Sequence, residues 1–168
     1  MAQDLGQFGM TGPPCAPDQK PTPAVPRDQT YRAGSPVRST LADNGTEGPR
    51  LALSGTVAGT KCGRIKGAEV EIWHADDHGV YDSTGFRFRG RQITDIDGRF
   101  AFDTIVPGRN GVRARHVGVH VRVPDKKDLW TELFFADDPA ALKDPRYKPE
   151  LTMTVVNGKA VFDLLLDL

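Results

Sequence analysis

Five side chains between positions 81 and 132 could carry acid–base chemistry if the fold brought them together. A phenol, an imidazole or a carboxylate can hold or transfer a proton, and a guanidinium group can stabilise an oxyanion. Around one cavity they would suit proton transfer, dehydration, cyclisation or rearrangement of a small molecule. These predicted site residues are Tyr81, Arg113, His116, His120 and Glu132.

The spacing of two histidines argues against their binding one metal ion together. His116 and His120 lie on one face of a predicted strand, roughly 13 Å apart at about 3.3 Å per residue. Because metal–ligand bonds are about 2 Å long, both imidazole rings cannot coordinate one ion unless the strand bulges. Gly118 stands between them and makes a bulge conceivable. A metal site of Tyr81, His116 and His120 is therefore kept as an alternative.

The elements that must position these residues are short strands. Alternating apolar and polar residues separated by Gly- and Pro-containing turns are typical of strands, and we predict an all-β fold, an antiparallel β-sandwich. Asn157-Gly158 predicts a two-residue hairpin, and the segment DPAALKD predicts one short helix capped by Asp138. The predicted strands are LALSGTV, AEVEIWHA, RFAFDTI, HVGVHVRV, TELFF, LTMTVV and KAVFDLLL.

The first 50 residues differ from the rest in composition and in hydrophobic pattern. They are rich in Pro, Gly, Asp and Thr and have hardly any apolar periodicity, so they cannot bury much surface by themselves. We predict an irregular N-terminal arm over residues 1–50 and a β-sandwich over residues 51–168.

Composition excludes several classes of partner. Lysine plus arginine and aspartate plus glutamate number 22 each, so a nucleic acid or a membrane surface is not expected. The N-terminus lacks the pattern of a signal peptide, which predicts a cytoplasmic protein. There, Cys15 and Cys62 are expected to be free thiols, with a disulfide between them as the alternative.

Three segments together resemble the intradiol ring-cleavage dioxygenases, the family of catechol and protocatechuate 3,4-dioxygenases. They are GAEVEIWHADDHGVYD, FRFRGRQITDIDGRFAFDTIVPG and TELFFADDP, and the likeness extends from about Ala16 to the C-terminus. The resemblance implies a β-sandwich, an aromatic substrate, an Fe(III) ion held by two tyrosines and two histidines, and a possible homodimer.

Only part of that ligand set has a counterpart here. Tyr81 matches the first tyrosine, but no tyrosine follows Pro107-Gly108, where the second would stand. Arg113 and His116 match the arginine and first histidine of the R..HIH pattern, and Gly118 replaces the second histidine.

A shifted register would instead match Arg115, Gly118 and His120 and lose the first histidine. Either register leaves one histidine missing, so the iron site resembles a degenerate one. A glutamine of the family's TQL.F phrase is Glu132 here, which would form an ion pair if it lies beside Arg113.

Three hypotheses follow. The favoured one is a family member repurposed for non-oxidative acid–base chemistry on a phenolic or polyketide-like molecule, with no cofactor. Tyr81 or His116 would be its acid, Glu132 or a histidine its base, and Arg113 its oxyanion stabiliser. The alternatives are a dioxygenase that cleaves a catechol-type ring with Fe(III) on altered ligands, and a non-catalytic binding protein.

The two other histidines, His74 and His78, lie in a turn-rich segment and are expected in a solvated loop.

Overall fold

Two β-sheets that share one apolar core form the body of the molecule. The computed structural model describes residues 19–61 and 63–168, and Cys15 and Cys62 lie outside these ranges. Within these described ranges, nine strands and two short 3₁₀ helices follow one another. They are β1 Arg50–Gly59, β2 Glu69–Trp73, β3 Arg89–Ile93, β4 Arg99–Ile105, β5 His116–Arg122, β6 Leu129–Phe135, the 3₁₀ helices Pro139–Lys143 and Pro149–Leu151, β7 Thr152–Met153, β8 Lys159–Val161 and β9 Leu164–Leu166.

The strands divide into a five-stranded and a four-stranded sheet. The larger has the order β3-β2-β5-β6-β7, and the smaller has the order β4-β1-β8, with β9 also paired to β1. Pairs within β1 to β6 are antiparallel, while β7, β8 and β9 run parallel to their neighbours. The structure thus confirms the predicted all-β sandwich and adds a few parallel pairings at its edges.

Alternation along the strands builds the core between the sheets. In β4, Phe100, Phe102 and Thr104 are buried while the residues between them are exposed. The valines of β5 at 117, 119 and 121 are buried in the same core. The other face of β5 is buried too, because the N-terminal arm covers it.

Two local predictions hold in detail. Asn157 and Gly158 both adopt positive φ, at 51° and 74°, as a two-residue hairpin turn requires. Val156 and Lys159 pair across that turn. Asp138 caps the predicted helix by accepting a hydrogen bond from the amide of Ala140, although the segment forms a 3₁₀ helix rather than an α-helix.

The C-terminal strand prediction is only partly right. The segment KAVFDLLL is divided into β8 and β9 at Phe162 and Asp163. The Asp163 carboxylate accepts hydrogen bonds from the amide and hydroxyl of Thr56, at 3.0 and 2.9 Å, and so interrupts the ladder with β1. A Cβ on Gly55 would lie 1.9 Å from the carbonyl oxygen of Phe162, so the close approach of Phe162 to β1 requires glycine at position 55.

The arm is fastened to both sheets along its described length. Backbone hydrogen bonds of 2.8 Å join the amide of Thr22 to Leu165 and that of Val25 to Trp130. Isolated bridges join Val37 to β3 and Thr40 to β4. The division at residue 50 stays a prediction, and β1 does begin at Arg50. Among the described residues no helix is long and apolar enough to cross a membrane.

Candidate functional site

A tyrosine and a histidine from separate elements meet at one side of the five-stranded sheet. Tyr81 lies in the loop between β2 and β3, and His116 is the first residue of β5. The Tyr81 hydroxyl is 3.1 Å from Nε2 of His116. Nδ1 of His116 lies 2.7 Å from the carbonyl oxygen of Ala114. Because a carbonyl can only accept, Nδ1 carries the proton of the neutral ring, and Nε2 presents a lone pair to Tyr81.

Burial keeps this pair neutral. Desolvation lowers the pKa of His116, opposed by its hydrogen bond to Ala114. Desolvation also raises the pKa of Tyr81 to about 12, and the charge of Asp28 adds to that rise. Near neutral pH the two groups are therefore a phenol and an uncharged imidazole.

The pair opens onto a cavity of about 400 Å³, a size that suits a small molecule. The arm, the loop after β2 and the loop before β5 supply its walls. A larger groove of about 1100 Å³ crosses β1 and β4, and neither histidine nor tyrosine lines it. The smaller cavity is lined by Asp28, Gln29, Thr30, Tyr81, Asn110, Arg113 and His116.

Asp28, on the arm, is a site residue that the sequence did not reveal. It accepts a hydrogen bond of 2.9 Å from the amide of Thr30 and another from the Thr30 hydroxyl. Burial raises the pKa of Asp28, but these two bonds outweigh it and lower the pKa overall. An isolated aspartate in a Pro-rich arm gives no signal by spacing, so only the fold identifies it.

The expected ion pair between Arg113 and Glu132 is present, at 2.9 Å. A second arginine, Arg146, which the sequence did not single out, contacts the other oxygen of Glu132 at 2.5 Å. Asp144 fixes the far side of Arg113 at 2.8 Å. Burial lowers the pKa of Arg113, yet its bonds with Asp144 and Glu132 raise it overall. Glu132 is thus held between two guanidinium groups, which engage both of its oxygens.

The structure does not bring His120 to the other predicted site residues. Its Nδ1 lies 3.2 Å from Glu71 and its Nε2 lies 2.7 Å from Asp128. Its ring stacks on Trp130 with centroids 3.7 Å apart, and it does not line the cavity. The structure therefore does not form the alternative metal site of Tyr81, His116 and His120.

The bulge that could have rescued that alternative does not occur along the described length of β5. Gly118 pairs in regular register with Trp73 on one side and Glu132 on the other. The indole of Trp73 lies over Gly118, where an added Cβ would be 2.3 Å from a ring carbon. Trp73 thus fills the space that a second histidine would need.

The loop after Pro107-Gly108 likewise provides no second phenol. Asn110 turns its amide to donate a hydrogen bond of 2.8 Å to the carbonyl oxygen of Gly79. Of the four ligands that the resemblance implies, Tyr81 and His116 are the two that the structure places together.

The prediction for His74 is wrong, whereas His78 is exposed as expected. His74 is buried beneath Phe88, whose ring stacks on it with centroids 5.0 Å apart. Its Nε2 lies 2.7 Å from the Thr104 hydroxyl, and burial lowers its pKa to about 4. An alternating strand continues into His74, which is why it turns inward.

Comparisons with known proteins agree with the fold and identify the family. Residues 27–159 match the Dioxygenase_C family, described as Dioxygenase. Catechol 1,2-dioxygenase of Acinetobacter baylyi is 31% identical, over 75% of this chain and 50% of its own length. Catechol 1,2-dioxygenase 1 of Acinetobacter lwoffii is 32% identical, over 82% of this chain and 54% of its own length. The chain thus spans about half the length of the curated relatives it matches.

A solved structure matches most of the chain. It is the dioxygenase domain of a dioxygenase carbohydrate-binding protein fusion from Streptomyces sp. SirexAA-E, which is 37% identical with a TM-score of 0.86. The match covers 89% of this chain and 99% of that chain.

The prediction that no cofactor is bound is contradicted by these matches, because they point to the enzymes that the resemblance associates with Fe(III). The donor atoms fit such an ion. Two ligands about 2.1 Å from one metal, at right or tetrahedral angles, lie roughly 3.0 to 3.4 Å apart. The donor atoms of Tyr81 and His116 are 3.1 Å apart, within this range, whereas those of His116 and Glu132 are 3.7 Å apart, beyond it. Asp28, His116 and Glu132 each place a ligand atom within 4.8 Å of the other two.

Proposed function

Since the chain belongs to the intradiol dioxygenase family, we propose that it is an iron-dependent enzyme that opens the ring of a catechol-type aromatic compound. The observation that carries this proposal is the Tyr81–His116 pair, 3.1 Å apart at the mouth of a cavity of about 400 Å³. Both residues stand where the family pattern has iron ligands. Relatives that match the chain are named catechol 1,2-dioxygenases.

Tyr81 and His116 would hold the ion, with carboxylate oxygen from the same cluster. Phenolate and carboxylate oxygens are hard, anionic donors that suit a trivalent cation. When bound, Fe(III) would activate a catechol so that both atoms of O2 are inserted between its hydroxyl-bearing carbons, and no external reductant is needed.

The remaining residues would position the substrate and stabilise charge. Arg113 lines the cavity and is held rigid by Asp144 and Glu132, so its guanidinium group could stabilise an oxyanion without reorganising. Thr30 and Asn110 form further cavity wall, and the arm segment that carries Thr30 would exclude water from one side.

The non-oxidative alternative has a weaker basis. Its base would be Glu132 or a histidine, yet both oxygens of Glu132 are already engaged by arginines, and the matched relatives are named dioxygenases. The cytoplasmic location and the homodimer stay predictions.

The deciding experiment measures iron, colour and oxygen together. The purified protein is loaded with Fe(III) and mixed with catechol, and the iron content, visible absorption and O2 uptake are recorded. We expect bound iron, a tyrosinate charge-transfer band and one O2 consumed per ring opened. Equal turnover under anaerobic conditions with a chelator would instead establish the non-oxidative reaction.

Tyr81→Phe should abolish the visible band and lower the rate of O2 uptake by about 100-fold or more, because the phenolate donor is lost. The matched control is Tyr147→Phe. Its hydroxyl is 2.9 Å from Thr152, and it does not line the cavity. An unchanged band in the Tyr81 variant would rule out the proposed ligand.

A further inference from the structure

We propose that Asp28, on the N-terminal arm, is an iron ligand that replaces one of the donors missing from the family pattern. The inference rests on the proposed function, and it adds a ligand that comes from outside the sandwich strands.

The inherited positions cannot be refilled by neighbouring side chains in the sandwich. At Gly118 the indole of Trp73 occupies the space, and in the loop before β5 the side chain of Asn110 is bound to Gly79. His120 is held between Glu71 and Asp128. Among the described residues, the carboxylates beside His116 that could supply a third donor are those of Asp28 and Glu132.

Hydrogen bonding distinguishes these two carboxylates. In Glu132, one oxygen is 2.5 Å from Arg146 and the other is 2.9 Å from Arg113, so both are engaged. In Asp28, Oδ1 accepts both bonds from Thr30, whereas the contact that Oδ2 makes within the described part of the chain is one of 3.5 Å with Arg113. Oδ2 is therefore the more available donor atom.

The turn at Asp28 holds the carboxylate in place before any ion binds. Two bonds from Thr30 to one oxygen fix the side chain in an Asx turn, and Asp28 lines the same cavity as His116. A donor that is already oriented loses little conformational entropy on coordination.

Charge also favours a cation here. The ion-paired cluster contains three carboxylates, Asp28, Glu132 and Asp144, and two guanidinium groups, Arg113 and Arg146. The carboxylates outnumber the guanidinium groups by one, and a trivalent ion would be attracted to the excess negative charge. Asp28, the carboxylate with the longest contact to an arginine, is where that charge is least compensated.

The test replaces the carboxylate while keeping the turn. Asp28→Asn retains an oxygen that can accept from Thr30 but loses the anionic donor. The matched control is Asp43→Asn, on the same arm, where Asp43 accepts from Gly45 and Thr46 in a similar turn. Fe(III) is delivered from its nitrilotriacetate complex, and its affinity is measured by chelator competition, with the visible band recorded in parallel.

We expect Asp28→Asn to weaken Fe(III) binding on the order of 10- to 100-fold or more and to shift the visible band, while Asp43→Asn changes neither. Asp28→Glu, which keeps the charge, should recover part of the affinity. Circular dichroism and thermal unfolding verify that each variant is folded.

The outcomes separate this inference from the proposed function. If the wild-type protein binds no Fe(III) and shows no tyrosinate band, the proposed function fails. If the wild type binds iron with that band, and folded Asp28→Asn binds it equally tightly with the band unshifted, the function survives and the role of Asp28 is refuted.

Discussion

At the scale of single residues, the site is decided by which polar atoms already have partners. The polar atoms of Tyr81 and His116 contact each other, and both residues line a cavity. His120 instead contacts two carboxylates and does not line that cavity. Glu132 was predicted as a base beside Arg113, and it does lie there, but Arg146 also binds it. A buried carboxylate between two arginines serves first to hold them.

Glu132→Gln should therefore destabilise the fold even though it restores the amide that the family pattern has. The two arginines would lose their shared anionic partner, at a cost of about 2 kcal/mol in the free energy of unfolding. Denaturant titration of the variant, beside the exposed control Glu150→Gln, measures this. A variant as stable as the wild type would show that the ion pairs of Glu132 with Arg113 and Arg146 contribute nothing to the stability of the fold.

At the scale of elements, the arm and the five-stranded sheet are joined by a second polar cluster, around His120. Both of its ring nitrogens face carboxylates, Glu71 on β2 and Asp128 before β6. Ser35 on the arm also donates to Glu71, and Tyr31 packs edge-on against His120. Since carboxylates only accept, the ring is held as an imidazolium.

This cluster predicts a pH dependence of stability. Burial lowers the pKa of His120, but bonds with Glu71 and Asp128 outweigh it and raise the pKa above 6.5. A raised folded-state pKa contributes stability that is full below pH 6.5 and is lost as the pH rises through the folded value. Burial raises the pKa of Glu71, but bonds with His120, Ser35 and Tyr31 lower it overall, so its contribution is lost instead in acid.

His120→Gln should accordingly cost about 2 kcal/mol at pH 6, and the difference from the wild type should shrink towards pH 9. Urea unfolding at a series of pH values gives that difference directly. The exposed His78→Gln is the control and should show no such trend. A His120 variant whose deficit grows with rising pH would reverse the assigned charge state.

At the scale of the whole molecule, most strands were predictable from the sequence, whereas the contacts of the arm with the sheets were not. Alternation identified most strands, and Asn157-Gly158 identified the hairpin, because both signals are local in sequence. Asp28 and Arg146 gained their roles from contacts over long sequence separations, such as that between Arg146 and the carbonyl oxygen of Pro26. Buried His74 shows the same limit, since Phe88 and Thr104 cover it from distant segments.

The arm should accordingly unfold with the sandwich rather than before it. The amides of Thr22, Val25 and Leu41 bond to Leu165, Trp130 and Asp103 at 2.7 to 2.8 Å, so hydrogen exchange at these three positions should be as slow as at core amides. Native-state exchange followed by NMR tests this. Exchange as fast as at an exposed loop amide would mean that the arm opens separately.

The indole over Gly118 also constrains how this protein could change in evolution. A histidine introduced at 118 would meet the Trp73 ring at its first side-chain carbon, so that single substitution cannot re-create a pair of histidines. Shrinking Trp73 first would remove the indole that donates to Thr30, next to Asp28. A histidine at position 118 therefore requires a second mutation at Trp73, and the intermediate that lacks the indole would be impaired.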